Sequence, residues 1–376
     1  MLGMEQSCFS SPWHCRELFT VLECIYSNAL YTFRDDHLFQ FGASLKGRFS
    51  NILDALRNGY LSQRVAVHER LLADLVRKTG MAIYVTGDTH GGDPHGMYSL
   101  DGFMRRLNTS SFPEQKEMGK EDYVVICGDF GGVWDVNRFK VQESPAEKNA
   151  LDWLEQKPFT TLFIPGNHEN YDRLIGCKND RLLGSWFYAK MSPEEKEKLR
   201  KGYPRQPWHG GFVRVIRPSV LMLERGDIFE IDGKCCFAFG GAHSHDIQDG
   251  ILDPADYEDE RAFKKDYRLK RAGMIRVKGI SWWEAEMPTQ EEMDYGLRNI
   301  SDFMGEHERI DFVFTHDAPA SDKLYLGYDG VDELNRYFES LRDEMVYDKW
   351  FYGHLHDNRR VMDNHYLLYE QIIRIN

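Results

Sequence analysis

The stretch Thr161-Leu-Phe-Ile-Pro-Gly-Asn-His-Glu169 decides what kind of fold this sequence forms. It opens with a short apolar run of the length that a buried strand has, and Gly166 then lets the backbone turn sharply. Asn167, His168 and Glu169 follow at once, so polar side chains stand directly at the strand end. The stretch therefore predicts a strand that presents chemical groups at the edge of a sheet.

Four further apolar runs end in the same manner, and amphipathic or polar stretches separate them. The clusters that follow these runs are Gly87-Asp-Thr-His-Gly91, Gly128-Asp129, Thr315-His-Asp317 and Gly353-His-Leu-His356. Such an alternation is typical of strands and helices in an α/β domain. Because strand ends in an open α/β sheet lie along one edge, clusters far apart in sequence can converge in one crevice.

The residue types in these clusters are metal ligands. Carboxylate, amide oxygen and imidazole suit manganese, iron or zinc, and we expect two divalent ions, manganese first, with iron, zinc or nickel as alternatives. The predicted ligands are Asp88, His90 and His356 for one ion, Asn167, His316 and His354 for the other, and Asp129 as a bridge. A carboxylate bridge is needed because two cations about 3.5 to 4 Å apart would otherwise repel.

Two such ions predict hydrolysis of a phosphoester. They lower the pKa of a bound water, hold phosphoryl oxygens and offset the charge that develops during in-line attack. His168 and Asp129 are the predicted catalytic residues: His168 stabilises the phosphoryl group and gives the leaving oxygen a proton, and Asp129 bridges the ions. Asp129 or Glu169 would orient the His168 ring.

The five clusters, in this order, resemble the calcineurin-like metallophosphoesterase superfamily. Its pattern is Asp-x-His, Gly-Asp, Gly-Asn-His-Asp/Glu, a lone His and Gly-His-x-His, and the resemblance covers residues 81 to about 370. It implies an α/β fold, a four-layer α/β/β/α sandwich with a dinuclear site at the strand ends, and the same metal and proton-donor residues.

Three features of the sequence indicate which branch of the superfamily it resembles. Phe130-Gly-Gly-Val-Trp134 replaces the Asp-Arg-Gly of the Ser/Thr protein phosphatase branch, and Gly-His-Leu-His is more similar to the phosphodiesterase and nuclease side. Gly240-Gly-Ala-His-Ser-His-Asp246, with Trp282-Trp283 and Glu286, resembles a bacterial and phage branch that fixes no substrate.

Composition limits the partners and the location. With 376 residues and 42% hydrophobic residues, the chain can bury a large core. A net charge of −13 disfavours a mainly electrostatic grip on nucleic acid. The sequence has no apolar segment long enough for a membrane, and its seven cysteines are odd in number and without zinc-ribbon spacing. We expect a cytoplasmic protein with reduced thiols.

The domain organisation is predicted as a catalytic domain over residues 81–376 with a helical N-terminal extension over 1–80. Residues 1–80 have helix-like patterns but no chemical motif, so a misassigned start codon before Met81 is an equal alternative. Polar insertions near 178–212 and 247–280 are expected to be surface excursions or caps over the site.

Three functions stay open. The leading one is hydrolysis of small phosphomono- or phosphodiesters, nucleotides included; the second is a nuclease on DNA or RNA, and the third is a metal-binding scaffold without turnover. The cations of Arg261 to Lys278 form either a cap for phosphates or a helix paired with the acidic run before it. Trp282 and Trp283 either stack on a base or pack in the core, and His243 and His245 either line the pocket or pack behind it.

Overall fold

The computed structural model describes residues 81–91 and 102–376, which form two large sheets, a small strand pair and their helices. The strands are β1 Ile83–Thr86, β2 Tyr123–Cys127, β3 Thr160–Ile164, β4 Arg205–Trp208, β5 Gly211–Arg217, β6 Val220–Leu223, β7 Asp227–Ile231, β8 Lys234–Phe239, β9 Gly250–Leu252, β10 Ile275–Val277, β11 Ile310–Thr315, β12 Tyr347–Tyr352, β13 Arg359–Arg360, β14 His365–Leu367 and β15 Ile373–Arg374. The α-helices are α1 Phe103–Arg106, α2 Pro145–Glu155, α3 Asp180–Gly184, α4 Pro193–Lys201, α5 Glu260–Lys270, α6 Gln290–Glu306, α7 Ala320–Tyr325 and α8 Glu333–Glu344. Single 3-10 turns lie at Pro113–Glu117, Trp186–Tyr188, Pro254–Asp256 and Glu284–Glu286, and a π-helical turn lies at Asp172–Gly176.

The first large sheet has the strand order β15-β1-β2-β3-β6-β5-β4. Its centre, from β1 to β6, is parallel. The strands β1, β2 and β3 are buried along their whole length, as expected where both faces of a sheet are covered. The parallel pairing brings the carboxyl ends of β1, β2 and β3 to one edge.

The second large sheet has the order β13-β14-β12-β11-β8-β7. Here β14, β12, β11 and β8 are parallel, and β13 and β7 are antiparallel edge strands. The carboxyl ends of β11 and β12 therefore lie side by side, as those of β1 to β3 do in the first sheet.

The two sheets pack face to face over a shared apolar core. Val125 and Leu162 from the first sheet are fully buried in one cluster with Phe314 and Phe351 from the second. Alternation along a strand sends the neighbouring residues outward. Because Val125, Leu162, Phe314 and Phe351 are buried between the two sheets, these sheets form the middle two layers of the fold.

Helices cover the outer faces. Val124 and Phe163 of the first sheet pack with Leu151 of α2, and Val313 and Trp350 of the second pack in a cluster that includes residues of α6 and α8. Helix α2 begins with Ser144 as N-cap and a proline at its first turn, and α6 begins with a capping box. The result is a four-layer α/β/β/α sandwich, which confirms the predicted fold class.

The two predicted insertions contain local structure of their own. Between residues 178 and 212 lie α3, α4 and β4, and between 247 and 280 the parallel strands β9 and β10 enclose α5. On α5, Lys264 and Lys270 pair with the acidic residues four positions earlier, at 2.9 and 3.0 Å. Part of the basic stretch is therefore neutralised within its own helix.

The predicted helical extension over 1–80 lies outside the described residues. Within the described part of the chain, no helix combines the length and the apolar character that crossing a bilayer requires. In the same part, Cys127, Cys177, Cys235 and Cys236 are free thiols.

Candidate metal centre

Four residues at the strand ends bring possible metal-ligating atoms together. Asp88, His90, Asp129 and His356 each offer one ligand atom within 4.8 Å of the others. The Nε2 atoms of His90 and His356 are 3.1 Å apart, and His356 Nε2 is 3.1 Å from Asp88 Oδ2. Three of the four are buried, while the His356 side chain is 33% exposed and forms the accessible side of the group.

A second group of donors lies next to the first. His316 Nε2 is 3.3 Å from Asn167 Oδ1 and 3.3 Å from Asp129 Oδ1. The His354 ring is 5.0 Å from the His316 ring. Asp129 Oδ2 lies 3.8 Å from His90 Nδ1, so the two oxygens of this carboxylate face different groups.

A backbone carbonyl sets the orientation of His316. Its Nδ1 lies 3.0 Å from the carbonyl oxygen of Cys127 at the end of β2, a residue 189 positions away. Because a carbonyl only accepts hydrogen bonds, Nδ1 carries the hydrogen, and in the neutral ring Nε2 is left with its lone pair toward Asn167 and Asp129. The contact also ties the end of β11 to the other sheet.

The backbone at the site is held in an uncommon conformation. His90, Asp129, His354 and His356 have φ angles of 43°, 42°, 67° and 49°, in the left-handed region that residues other than glycine rarely adopt. Strain of this kind persists where the surroundings enforce it, commonly at functional sites. At Gly353 a Cβ would lie 2.1 Å from Asp88 Oδ1, so only glycine lets the chain pass this carboxylate.

The electrostatics of the site favour positive charge beside its carboxylates. Burial alone would raise the pKa of Asp129, but His316 and His168 hold it well below its usual range. Burial likewise opposes a charged His316, yet Asp129 and Asp88 raise its pKa to about 10. His354 is different: burial lowers its pKa to about 3, so its ring is neutral.

The donor set fits divalent ions. His354 Nε2 is buried, has no hydrogen-bond partner among the described residues, and stands 4.0 Å from the Asp317 carboxylate. An unpaired nitrogen in such a place is costly unless something else binds it. The neutral His354 ring and the strongly acidic Asp129 both suit a cation, and no thiolate from the described cysteines takes part.

His168 lies beside the first group. Its backbone N–H donates to Asp129 Oδ1 at 2.8 Å, and its ring lies edge-on to His90 with centroids 5.2 Å apart. Glu169 is fully buried, and its carboxylate accepts hydrogen bonds from the backbone N–H groups of Phe130 and Gly131, at 2.7 and 3.3 Å. Asp129 thus contacts the backbone of His168, and Glu169 joins the loops after β2 and β3.

Asn167 is oriented from behind by two residues that the sequence patterns do not assign a role. Its Nδ2 donates to Ser244 Oγ at 3.3 Å. The backbone N–H and the hydroxyl of Ser244 in turn donate to the two carboxylate oxygens of buried Glu286, at 2.9 and 2.8 Å. With its amide nitrogen engaged, Asn167 directs its oxygen toward His316.

Asp317 and Lys323 form a second supporting pair. The Lys323 ammonium group donates to Asp317 Oδ2 at 2.9 Å and to Asn335 Oδ1 at 3.1 Å, and all three side chains are buried. Asp317 stands in the Thr-His-Asp cluster, which makes it visible in the sequence. No spacing in the sequence connects it with Lys323 on α7.

All seven predicted ligands lie in this one site, and His168 lies beside them. They are Asp88, His90, Asp129, Asn167, His316, His354 and His356. Their individual metal-binding and catalytic roles stay predictions.

A four-layer sandwich with carboxylate, amide and imidazole donors at its strand ends is the arrangement expected of a metal-dependent phosphoester hydrolase. The family model for calcineurin-like phosphoesterase matches residues 81–358. The chain belongs to the calcineurin-like phosphoesterase family and is a phosphoric ester hydrolase. A comparison with curated proteins gives no match.

Proposed function

We propose that this protein hydrolyses small phosphomono- or phosphodiesters, nucleotides among them, with two divalent metal ions, manganese first. The position of Asp129 carries the proposal. One of its oxygens lies 3.8 Å from a nitrogen of His90 in the first group and the other lies 3.3 Å from a nitrogen of His316 in the second. A single carboxylate between two groups of donors is what a pair of cations needs.

The residues divide the work between binding and proton transfer. One ion would be held by Asp88, His90 and His356, and the other by Asn167, His316 and His354. Asp129 would bind both ions. When bound, such ions supply Lewis acidity toward phosphoryl oxygens and lower the pKa of water toward neutrality.

His168 supplies a proton donor, which the metal ligands do not provide. It is half-buried beside His90, with its backbone fixed by Asp129, so its ring stands at the edge of the donor cluster. From there its imidazole can hold a phosphoryl oxygen and give a proton to the leaving oxygen.

A nuclease acting on DNA or RNA is the second candidate, and helix α5 favours it. Lys265, Arg268 and Arg271 are exposed and form no ion pair with any described residue. A polynucleotide bound by such cations would dissociate as salt rises, so turnover would fall steeply with ionic strength. Turnover of a small ester would change little.

The experiment incubates manganese-loaded protein with p-nitrophenyl phosphate, bis(p-nitrophenyl) phosphate, nucleotides and single-stranded DNA. Asp129→Asn is compared with Asp348→Asn, which removes a carboxylate from a surface pair with Arg309. We expect Asp129→Asn to lose metal and at least about 100-fold in turnover, because loss of a ligand exceeds the 10- to 100-fold effect of its supporting partners. Equal rates in wild type and Asp129→Asn would overturn the proposal.

A further inference from the structure

The loop from Ala242 to Asp246 is fixed to the candidate metal centre at its middle residue. Ser244 is 2% exposed and bonds through both its backbone and its hydroxyl to Glu286, which is 1% exposed. The same hydroxyl accepts from Asn167 at 3.3 Å. A loop held at its centre by a buried carboxylate has little freedom, so the residues on either side of Ser244 occupy defined positions.

Of the two histidines beside Ser244, one faces the site. The His245 ring lies 4.8 Å from the His354 ring at an angle of 46°. It is also near enough to Lys323 and Asp317 for their charges to act on it. His243 is exposed as well, but no comparable contact joins it to the donor cluster.

The His245 side chain is exposed, so it borders the donor cluster from the solvent side and is not part of it. His354, which it touches, is buried and belongs to the second donor group. The His245 ring is therefore a solvent-accessible neighbour of the donor group at which the proposed function places the phosphoryl group. An imidazole has an N–H in both its neutral and its charged form, so it can donate to an oxygen in either state.

We propose that His245 contacts the substrate, donating an imidazole N–H to a phosphoryl oxygen and so setting the affinity of the centre for phosphoesters. The inference rests on the proposed function, because it requires the phosphoryl group to bind at the metal centre. His245 is distinct from the seven predicted metal ligands and from His168.

Binding of inorganic phosphate tests the proposal without turnover. Isothermal titration of manganese-loaded protein with phosphate should give a Kd about tenfold higher for His245→Ala than for wild type, the equivalent of one hydrogen bond. His245→Asn keeps an N–H donor and should recover part of this affinity. His243→Ala is the matched control and should bind as wild type does.

Steady-state kinetics with p-nitrophenyl phosphate gives the second measurement. The KM of His245→Ala should rise about tenfold while kcat changes less, since the contact forms in the bound substrate. Metal content per chain should stay at the wild-type value. Unchanged phosphate affinity, an equal loss in His243→Ala, or loss of metal from His245→Ala would each overturn the proposal. Wild type that binds phosphate but turns over no ester would contradict the proposed function alone.

Discussion

The indole of Trp134 lies stacked against the imidazole of His168, with ring centroids 5.7 Å apart and planes inclined by 25°. Trp134 is itself held, because Trp283 packs edge-on against it at 5.4 Å and its backbone N–H donates to Glu147 at 3.3 Å. Trp283 is 3% exposed, so it supports Trp134 from within the core. The stacked pair fixes the plane of the proposed proton donor at the edge of the donor cluster.

If His168 gives a proton to the leaving oxygen, its removal should matter most for poor leaving groups. His168→Ala should lower kcat about 100-fold or more for phenyl phosphate, because general acid catalysis contributes that much. The loss should be smaller for p-nitrophenyl phosphate, whose leaving oxygen needs less help. Rates over a series of substituted phenyl esters measure this difference, with His307→Ala as the surface control. Equal losses across the series would remove His168 from this role.

Gly128 tests how closely the two sheets approach. A Cβ at this position would lie 1.9 Å from His316 Nδ1, and φ is +88°. Gly128→Ala should therefore destabilise the fold by at least about 2 kcal/mol and lower the bound metal, since strain and collision with a predicted ligand add.

Gly233 is the matched control for that substitution. Its φ is +67° but nothing lies within 4 Å of an added Cβ, so Gly233→Ala brings backbone strain alone, about 1 kcal/mol. Urea unfolding and metal content of both variants decide the matter. If Gly128→Ala were no worse than Gly233→Ala, the close approach would be absent in solution.

The parallel centre of the fold and the seven donors could be predicted from the sequence because each signal is local. A short apolar run predicts a buried strand, and the polar cluster after it marks the sheet edge, as Thr160–Ile164 followed by Gly166 and Asn167 shows. The strand β5 could not be predicted from an apolar run in this way. Its apolar Val213 and Val215 alternate with Arg214, so it forms no continuous run, and its place is set by antiparallel pairing.

The supports of the site were harder to foresee because they depend on packing between distant segments. Ser244 and Glu286 are 42 positions apart, and no spacing rule connects them. Trp134 shows its relation to His168 only after the loops following β2 and β3 are folded together. Residues of this kind acquire a role from three-dimensional contact and not from a motif.

Glu286 should make stability depend on pH. Burial raises its pKa to about 7, although hydrogen bonds from Ser244 oppose the rise. Because the folded-state pKa lies above the unfolded value, the stabilisation is complete below pH 4.5 and is lost as pH rises through about 7. The loss is about 3 kcal/mol over this interval.

Glu286→Gln isolates that contribution. Glutamine does not titrate, so the difference in unfolding free energy between wild type and variant should move in favour of the variant from pH 4.5 to 7.5. Chemical denaturation at several pH values measures the difference, which cancels groups that titrate alike in both proteins. A difference that stays constant over this interval would show that Glu286 is not protonated in the folded protein near neutrality.

The buried ion pair of Arg173 and Glu147 should be essential for holding Trp134 in its stacked position against His168. Their side chains are 5% and 0% exposed, and the guanidinium contacts both carboxylate oxygens and also donates to the carbonyl of Asp135 at 3.1 Å. Arg173→Met leaves a buried carboxylate without its partner and should cost about 3–5 kcal/mol of stability. Because Glu147 also accepts a hydrogen bond from the backbone N–H of Trp134, kcat should fall together with the stability.

The double variant Arg173→Met with Glu147→Gln separates charge from packing. Removing both charges should recover part of the stability, since the lone buried carboxylate is the main cost of the single variant. Arg309→Met provides the surface comparison: its pair with Asp348 is 55% and 37% exposed and should be worth less than about 1 kcal/mol. If Arg173→Met cost no more than Arg309→Met in denaturant unfolding, the buried pair would not be what holds Trp134 against His168.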